Sequence, residues 1–155
     1  MAIAPNTTFV AGNVLTAAQQ NAFGFGICGY TQSTTLLQAA VTAEVDLTGM
    51  SVTFTAIANR YYKISAYMYA FPTVANAVAQ VAIKQGATTL QTILNSTGPA
   101  TAGTTLNGYV LKTFAAGSVT LKLSGALAAG SSGSITFNAG ATLPVSILVE
   151  DVGPA

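Results

Sequence analysis

The chain has 155 residues, of which 51% are apolar and 6% charged, with five Lys or Arg, four Asp or Glu and no His; an ordinary soluble domain carries about 25% charge. Without His, imidazole acid–base work near neutral pH, Ser/His or Cys/His nucleophile pairs and His ligands for zinc or copper are excluded. A net charge of +1 from dispersed cations cannot supply the several phosphate contacts that hold nucleic acid, so nucleic acid is not expected as a partner.

A length near ~150 residues fits one hydrophobic core. The single Cys28 allows neither an intrachain disulfide nor a C-x-x-C motif, and it reads as a small buried hydrophobe. Met1-Ala-Ile-Ala-Pro-Asn has no basic stretch ahead of an apolar one, so a signal peptide is not expected. Mean hydropathy is +0.56, yet Gly, Pro, Ser, Thr, Asn or Gln interrupts every apolar run before ~18 residues, so no membrane partner is expected. A hydrophobic chain that stays out of membranes needs another place for its apolar surface.

In chain order, residues 1–34 come first, as an N-terminal arm without strand alternation. Thr16 and Gln19 have the spacing of a capping box and Gly24 stands where a helix would end, which predicts a short helix over about 16–23. Two turns are not stable alone in water, so this helix must dock through Val14, Leu15, Ala18 or Phe23. Residues 35–155 follow as a second unit, in which short runs rich in Val, Ile, Thr, Tyr and Phe are separated by Gly, Asn, Ser or Pro. Strands are predicted at 41–47, 51–56, 61–71, 78–84, 88–94, 106–114, 119–124, 135–138 and 145–149, and no long helix is visible. Turn signals every ~8 to 12 residues favour an all-β antiparallel sandwich, jelly-roll-like, over a parallel sheet that needs helical crossovers.

Individual runs indicate which side is core. In 51–56, Val52, Phe54 and Ala56 alternate with Ser51, Thr53 and Thr55, so one side is buried and the other covered by hydroxyls. In 61–71, Tyr62, Ile64, Ala66, Met68 and Ala70 share one face, while Tyr61, Lys63, Ser65, Tyr67, Tyr69 and Phe71 share the other. Tyr67, Tyr69 and Phe71 offer an aromatic patch near the several hundred Å² that monomers seldom leave open, which makes them a candidate oligomer interface. The competing reading is cover by a second sheet or by the arm within the same chain. The runs 106–114 and 119–124, around Ala115-Ala-Gly-Ser118, predict a hairpin. It would set Tyr109 and Leu111 beside Leu123 and Leu121, with Lys112 and Lys122 together on the opposite, solvated face. Asn95–Thr104 reads as a flexible loop.

Carboxylates can do glycoside or metal chemistry without histidine. Glu44 and Asp46, two apart on one strand, would project to the same side, near enough to share a Ca²⁺ with help from Thr42 and Thr48. A calcium site needs about six to eight oxygens, and no loop of the D-x-D-x-D-G kind is present. The pair is therefore read as solvated edge charges, and no metal, cofactor or catalytic residue is assigned. Glu150 and Asp151, as strand neighbours, point to opposite faces and read as solubilising charges or as partners for Arg60. Gly24-x-Gly26 and Gly130-Ser-Ser-Gly133 lack the phosphate-binding fingerprint and read as turns.

Three stretches resemble structural proteins of tailed bacteriophages, especially those of actinobacterial hosts. Thr8-Phe-Val-Ala-Gly-Asn-Val-Leu-Thr-Ala-Ala-Gln-Gln-Asn21 is similar to their opening T-F-x-A-G-x-x-L-T-A with a following Asn. Arg60-Tyr-Tyr-Lys-Ile-Ser65 resembles their R-x-Y-x-I-S strand, and Leu148-Val-Glu-Asp-Val-Gly-Pro154 resembles their closing segment. The resemblance implies a virion component with a sandwich similar to the jelly rolls of trimeric decoration and fibre modules. A single sandwich departs from a full tail fibre and fits a capsid decoration, or cement, protein, assembled in the host cytoplasm and placed on the capsid surface. It would be a homo-oligomer, a trimer, with an arm through Phe9, Val14, Leu15 and Phe23 lying across the major capsid protein. The alternative is a minor tail or fibre protein that binds a host receptor or glycan, with Tyr67, Tyr69 or Tyr109 as stacking platforms. An enzyme is not expected; Glu44 with Asp46 is the pair such a reading would have to use.

Overall fold

A computed structural model describes residues 26–155 as two antiparallel sheets packed face to face. The helix expected over 16–23 and the arm residues Phe9, Val14, Leu15 and Phe23 lie outside the described residues. In chain order the strands are β1 (Gly26–Ser33), β2 (Gln38–Val41), β3 (Val45–Ala56), β4 (Arg60–Pro72), β5 (Val78–Gln85), β6 (Thr88–Ser96), β7 (Thr104–Thr113), β8 (Gly117–Leu127), β9 (Ile135–Asn138) and β10 (Val145–Pro154). The four-stranded sheet has the order β3-β8-β5-β6. The six-stranded sheet is organised by β4, whose 13 residues hold β10 along Arg60–Tyr67 and β9 along Tyr69–Pro72. β7 also pairs with β4, β1 flanks β10, and β2 flanks β9.

The facing sides of the two sheets make the core. Tyr62, Ile64, Ala66, Met68 and Ala70 of β4 meet Met50, Val52 and Phe54 of β3, Val81 and Ile83 of β5, and Leu121 and Leu123 of β8, all 5% exposed or less. The alternation read in 51–56 and 61–71 is thus the alternation of core and outside. Burying apolar side chains at roughly 25 cal/mol per Å² is what holds the sheets together. Phe54, Tyr62 and Phe114 pack with ring centroids 5.1 to 5.9 Å apart. The one polar atom of that cluster, the Tyr62 hydroxyl, accepts from the Ile57 amide at 2.8 Å.

Several local expectations are corrected. Gly26–Ser33, expected within the arm, is a strand of the sandwich and pairs with β10. A bulge between Ile27 and Gly29 breaks its alternation and hides the strand in the sequence. Gly29 faces inward there, where a Cβ would come within 2.6 Å of Val52 Cγ2. The runs 41–47 and 51–56 are divided differently: Val41 ends β2, and β3 then runs unbroken from Val45 to Ala56. It passes through Gly49 at φ +73°, where a bulge absorbs the turn signal.

Residues 106–124 do not form a hairpin. β7 pairs with β4 in one sheet, whereas β8 pairs with β3 and β5 in the other. The short link through Gly117, at φ +132°, carries the chain across the sandwich instead of reversing it within a sheet. Leu121 and Leu123 are therefore core, while Tyr109 and Leu111 face outward on the opposite sheet. Lys112 and Lys122, expected side by side, stand on different sheets. The segment 97–103, read as flexible, is tied down: the Thr97 amide and hydroxyl both donate to Ala77 O, at 2.8 and 2.7 Å, and the Thr101 amide donates to Pro72 O at 3.1 Å.

Side chains bridge the flanks where edge strands of the two sheets meet. Between β6 and β7, Asn95 Nδ2 donates to Thr105 O at 2.8 Å and to Thr104 Oγ1 at 3.0 Å. Between β1 and β3, Thr31 Oγ1 donates to Ser51 O at 2.7 Å. Both carbonyls belong to strand edges that would otherwise invite pairing by another chain.

Candidate interaction face

Residues directly opposite in a sheet lie on the same face, so the register lays out the outer surface of the six-stranded sheet. Across β1, β10, β4 and β7 the rows are Gln32, Ser146, Tyr67, Asn107; then Tyr30, Leu148, Ser65, Tyr109; then Ile27, Glu150, Lys63, Leu111. Ile27 and Tyr30, at 69% and 53% exposure, form one apolar margin, and Tyr109 and Leu111, at 61% and 48%, form the other. Between the margins Tyr67 and Leu148 stand among Ser65, Ser146, Lys63 and Glu150. Lys63 Nζ lies 3.3 Å from Glu150 Oε2 and 5.6 Å from the centre of the Tyr109 ring, close enough for attraction to the ring face. A shallow depression of about 320 Å³ opens there, bordered by Lys63, Tyr67, Asn107, Tyr109 and Leu148.

The three residues expected at an oligomer interface differ in exposure. Tyr67, Tyr69 and Phe71 all project from β4 to the outside, but Tyr69 and Phe71 are half-buried and stack edge to face at 4.9 Å. A Cβ on Gly103 would overlap the Tyr69 ring, so the segment before β7 lies directly over it. Tyr67 stays open. That cover comes from a loop of the same chain. Ile27 and Tyr30 carry no sequence signal of their own, because the bulge in β1 breaks the alternation that would mark a strand. Leu111 is hidden by the hairpin reading, which turns it inward.

The outer surface of the four-stranded sheet is different in kind. Thr53 pairs with Thr120 and Thr55 with Ser118, and the Thr53 and Thr120 hydroxyls bond at 2.8 Å. Glu44 and Asp46 are not brought together as ligands. Glu44 Oε1 accepts from Lys84 Nζ at 2.5 Å and Ser124 Oγ at 2.6 Å, and Asp46 Oδ2 accepts from Lys122 Nζ at 2.6 Å. The bond from Lys84, then that from Ser124, holds the Glu44 carboxyl below the usual carboxylate range.

At the other end of the sandwich, Arg60 and Asp151 form a buried two-pronged pair, with Nε–Oδ2 at 2.5 Å and Nη2–Oδ1 at 2.8 Å. This is the partner the sequence offered Arg60, and Glu150 faces the other way, toward Lys63, as strand neighbours must. All four acidic residues of the chain are thereby engaged by cations. Among the described residues no three of His, Cys, Asp and Glu gather as a metal site. Cys28 is half-buried and packed on the core, and burial pushes its thiol pKa up.

No family model matches the sequence, and no curated protein matches it. Among solved structures, Eiger TNF from S. frugiperda is similar with a TM-score of 0.56 at 12% identity, covering 84% of this chain and 94% of that one. The likeness is one of fold: an all-β, two-sheet TNF-like jelly roll. Murine APRIL at pH 8.0 aligns with a TM-score of 0.49 at 8% identity, over 80% of this chain and 98% of its own. The globular domain of zebrafish complement 1qA protein aligns at 0.46 and 8%, over 82% and 96%. The jelly-roll-like sandwich expected from the strand pattern is therefore the fold the chain has.

Proposed function

We propose that the chain is a structural subunit of a tailed-bacteriophage virion. In this reading it is a capsid decoration protein that self-associates as a trimer, binds the major capsid protein and catalyses nothing. The observation that carries it is the outer face of the six-stranded sheet. Tyr30, Tyr67, Tyr109, Ile27 and Leu111 stand open there in a molecule with 6% charge. Half-exposed tyrosines and aliphatics of this number amount to several hundred Å² of apolar surface, which monomers seldom leave wet.

Other features support the same reading. The engagement of every acidic side chain by a cation leaves no carboxylate poised for acid–base work. The TNF/C1q-like sandwich is a fold that is often trimeric. The virion location, assembly in the host cytoplasm and placement on the capsid surface rest on the resemblance of Thr8–Asn21, Arg60–Ser65 and Leu148–Pro154. The arm through Phe9, Val14, Leu15 and Phe23 is the part assigned to the capsid lattice, where repetition over the shell multiplies a modest contact.

The test pairs sedimentation with capsid binding. The protein should sediment as a trimer, co-sediment with undecorated capsids and raise their disruption temperature. A monomer that leaves capsids unchanged overturns the proposal. A second reading, a tail module that binds a host glycan, is favoured by the depression between Tyr67 and Tyr109 with Asn107 and Lys63 at its rim. It expects labelled protein to adhere to host cell walls, and a lack of adherence removes it.

A further inference from the structure

We infer that the depression between Tyr67 and Tyr109 is a binding site for a neutral hexose ring of a glycan. The inference rests on the second reading above, in which this face stays open to a host glycan, and it names the class of sugar and the residues that hold it. The depression follows from side-chain size. Ser65 sits at its centre, with Lys63 and Tyr67 two residues away along β4 and Leu148 and Tyr109 opposite it on β10 and β7, so one small side chain is ringed by four larger ones. Its volume of about 320 Å³ lies at the small end of ligand pockets, which run from about 300 to 1,000 Å³. That is room for one or two sugar rings.

Tyr67 and Tyr109 are diagonal neighbours across the β4–β7 pair, which sets them about 7–8 Å apart. A flat ring lying between two aromatic side chains needs two carbon–carbon contacts of about 3.5–4.0 Å each, which is the same separation. A hexose brings an apolar C–H face to such a wall and hydroxyls at its rim. Hydroxyls both donate and accept hydrogen bonds, and so do the groups beside the tyrosines: the Asn107 amide and the Ser65 and Ser146 hydroxyls. Charge decides the class of sugar. Among the described residues Lys63 is the one cation bordering the depression, and Glu150 stands 3.3 Å from it. The pair has no net charge, so a carboxylate or phosphate on the ligand meets no unmatched cation and is opposed by Glu150. A neutral ring meets neither penalty.

The test probes the intact protein on an array of neutral oligosaccharides of glucose, galactose and mannose, set beside the same series ended in glucuronic acid or glycerol phosphate, and then titrates the best binder. Neutral members should bind at least about tenfold more tightly than their acidic counterparts. Tyr109→Ala and Asn107→Ala should each weaken that binding at least about tenfold. Tyr109→Phe, which keeps the ring, should retain most of it, and Thr55→Ala, on the outer surface of the other sheet, should leave it unchanged. Glu150→Gln releases the Lys63 charge and should narrow the gap between neutral and acidic members at least about threefold, a shift that a purely structural role for Glu150 would not produce. Near-ultraviolet circular dichroism of the Phe54, Tyr62 and Phe114 cluster checks that each variant is folded. Binding that survives both alanine variants overturns the site, and equal or tighter binding of the acidic series by the unmodified chain overturns the class of sugar. An array left unbound by protein that adheres to host cell walls overturns the hexose site while the glycan reading stands. An unbound array without adherence overturns both.

Discussion

Glu150 and Asp151 are chemical near-twins one peptide apart, and strand geometry gives them opposite circumstances. Glu150 points outward to Lys63 at 3.3 Å in a half-wet pair, and such pairs contribute about 0–1 kcal/mol. Asp151 points inward to Arg60, with both residues 5% exposed or less. Removing one member of a buried pair costs about 3–5 kcal/mol, because the other charge stays dry. Asp151→Asn should therefore lower the unfolding free energy by about 3 kcal/mol or more in urea titrations, while Glu150→Gln changes it by less than about 1 kcal/mol. Equal effects would show that the inner pair is not the anchor of this end of the sandwich. The opposite facing of the two acids was legible from alternation alone. Which one would be buried was not, since that depends on a partner 91 positions away.

At the scale of the strand, side-chain volume decides where a glycine is obligatory. Gly125 of β8 lies against Phe137 of β9, and a Cβ at that position would overlap the ring. Phe137 is fully buried and has no room to retreat. Gly125→Ala should destabilise by about 1–3 kcal/mol through overpacking. Gly98→Ala, where nothing lies within 4 Å of the added Cβ, should be nearly neutral. Thermal denaturation of the two variants checks this contrast. Strands with unbroken alternation, such as β4 and β9, were legible as elements. β1 was not, because its bulge offsets the pattern after Ile27. The β7–β8 link misled for another reason: a short glycine-containing turn reads alike whether the next strand joins the same sheet or crosses to its partner.

For the molecule as a whole, composition announced that apolar surface had to be covered but did not say which face would do the covering. That depends on the order in which strands assemble, and Tyr30, Leu148 and Tyr109 become neighbours only through β1, β10, β4 and β7. The paucity of charge has a direct consequence for association. Every acidic group is already satisfied by a nearby cation, so few unpaired charges remain for salt to screen. The trimer dissociation constant should change less than about threefold between low and high salt in sedimentation runs. A steep dependence would mean that charge, and not apolar contact, draws the copies together.

The seams at the flanks also decide what the molecule refuses. A threadlike ligand joins a sheet by completing the ladder along a bare edge, and here Asn95 and Thr31 reach the rim carbonyls first. At these two points a strand from another chain would meet a carbonyl already in use, which weighs against fibrous accretion of concentrated protein.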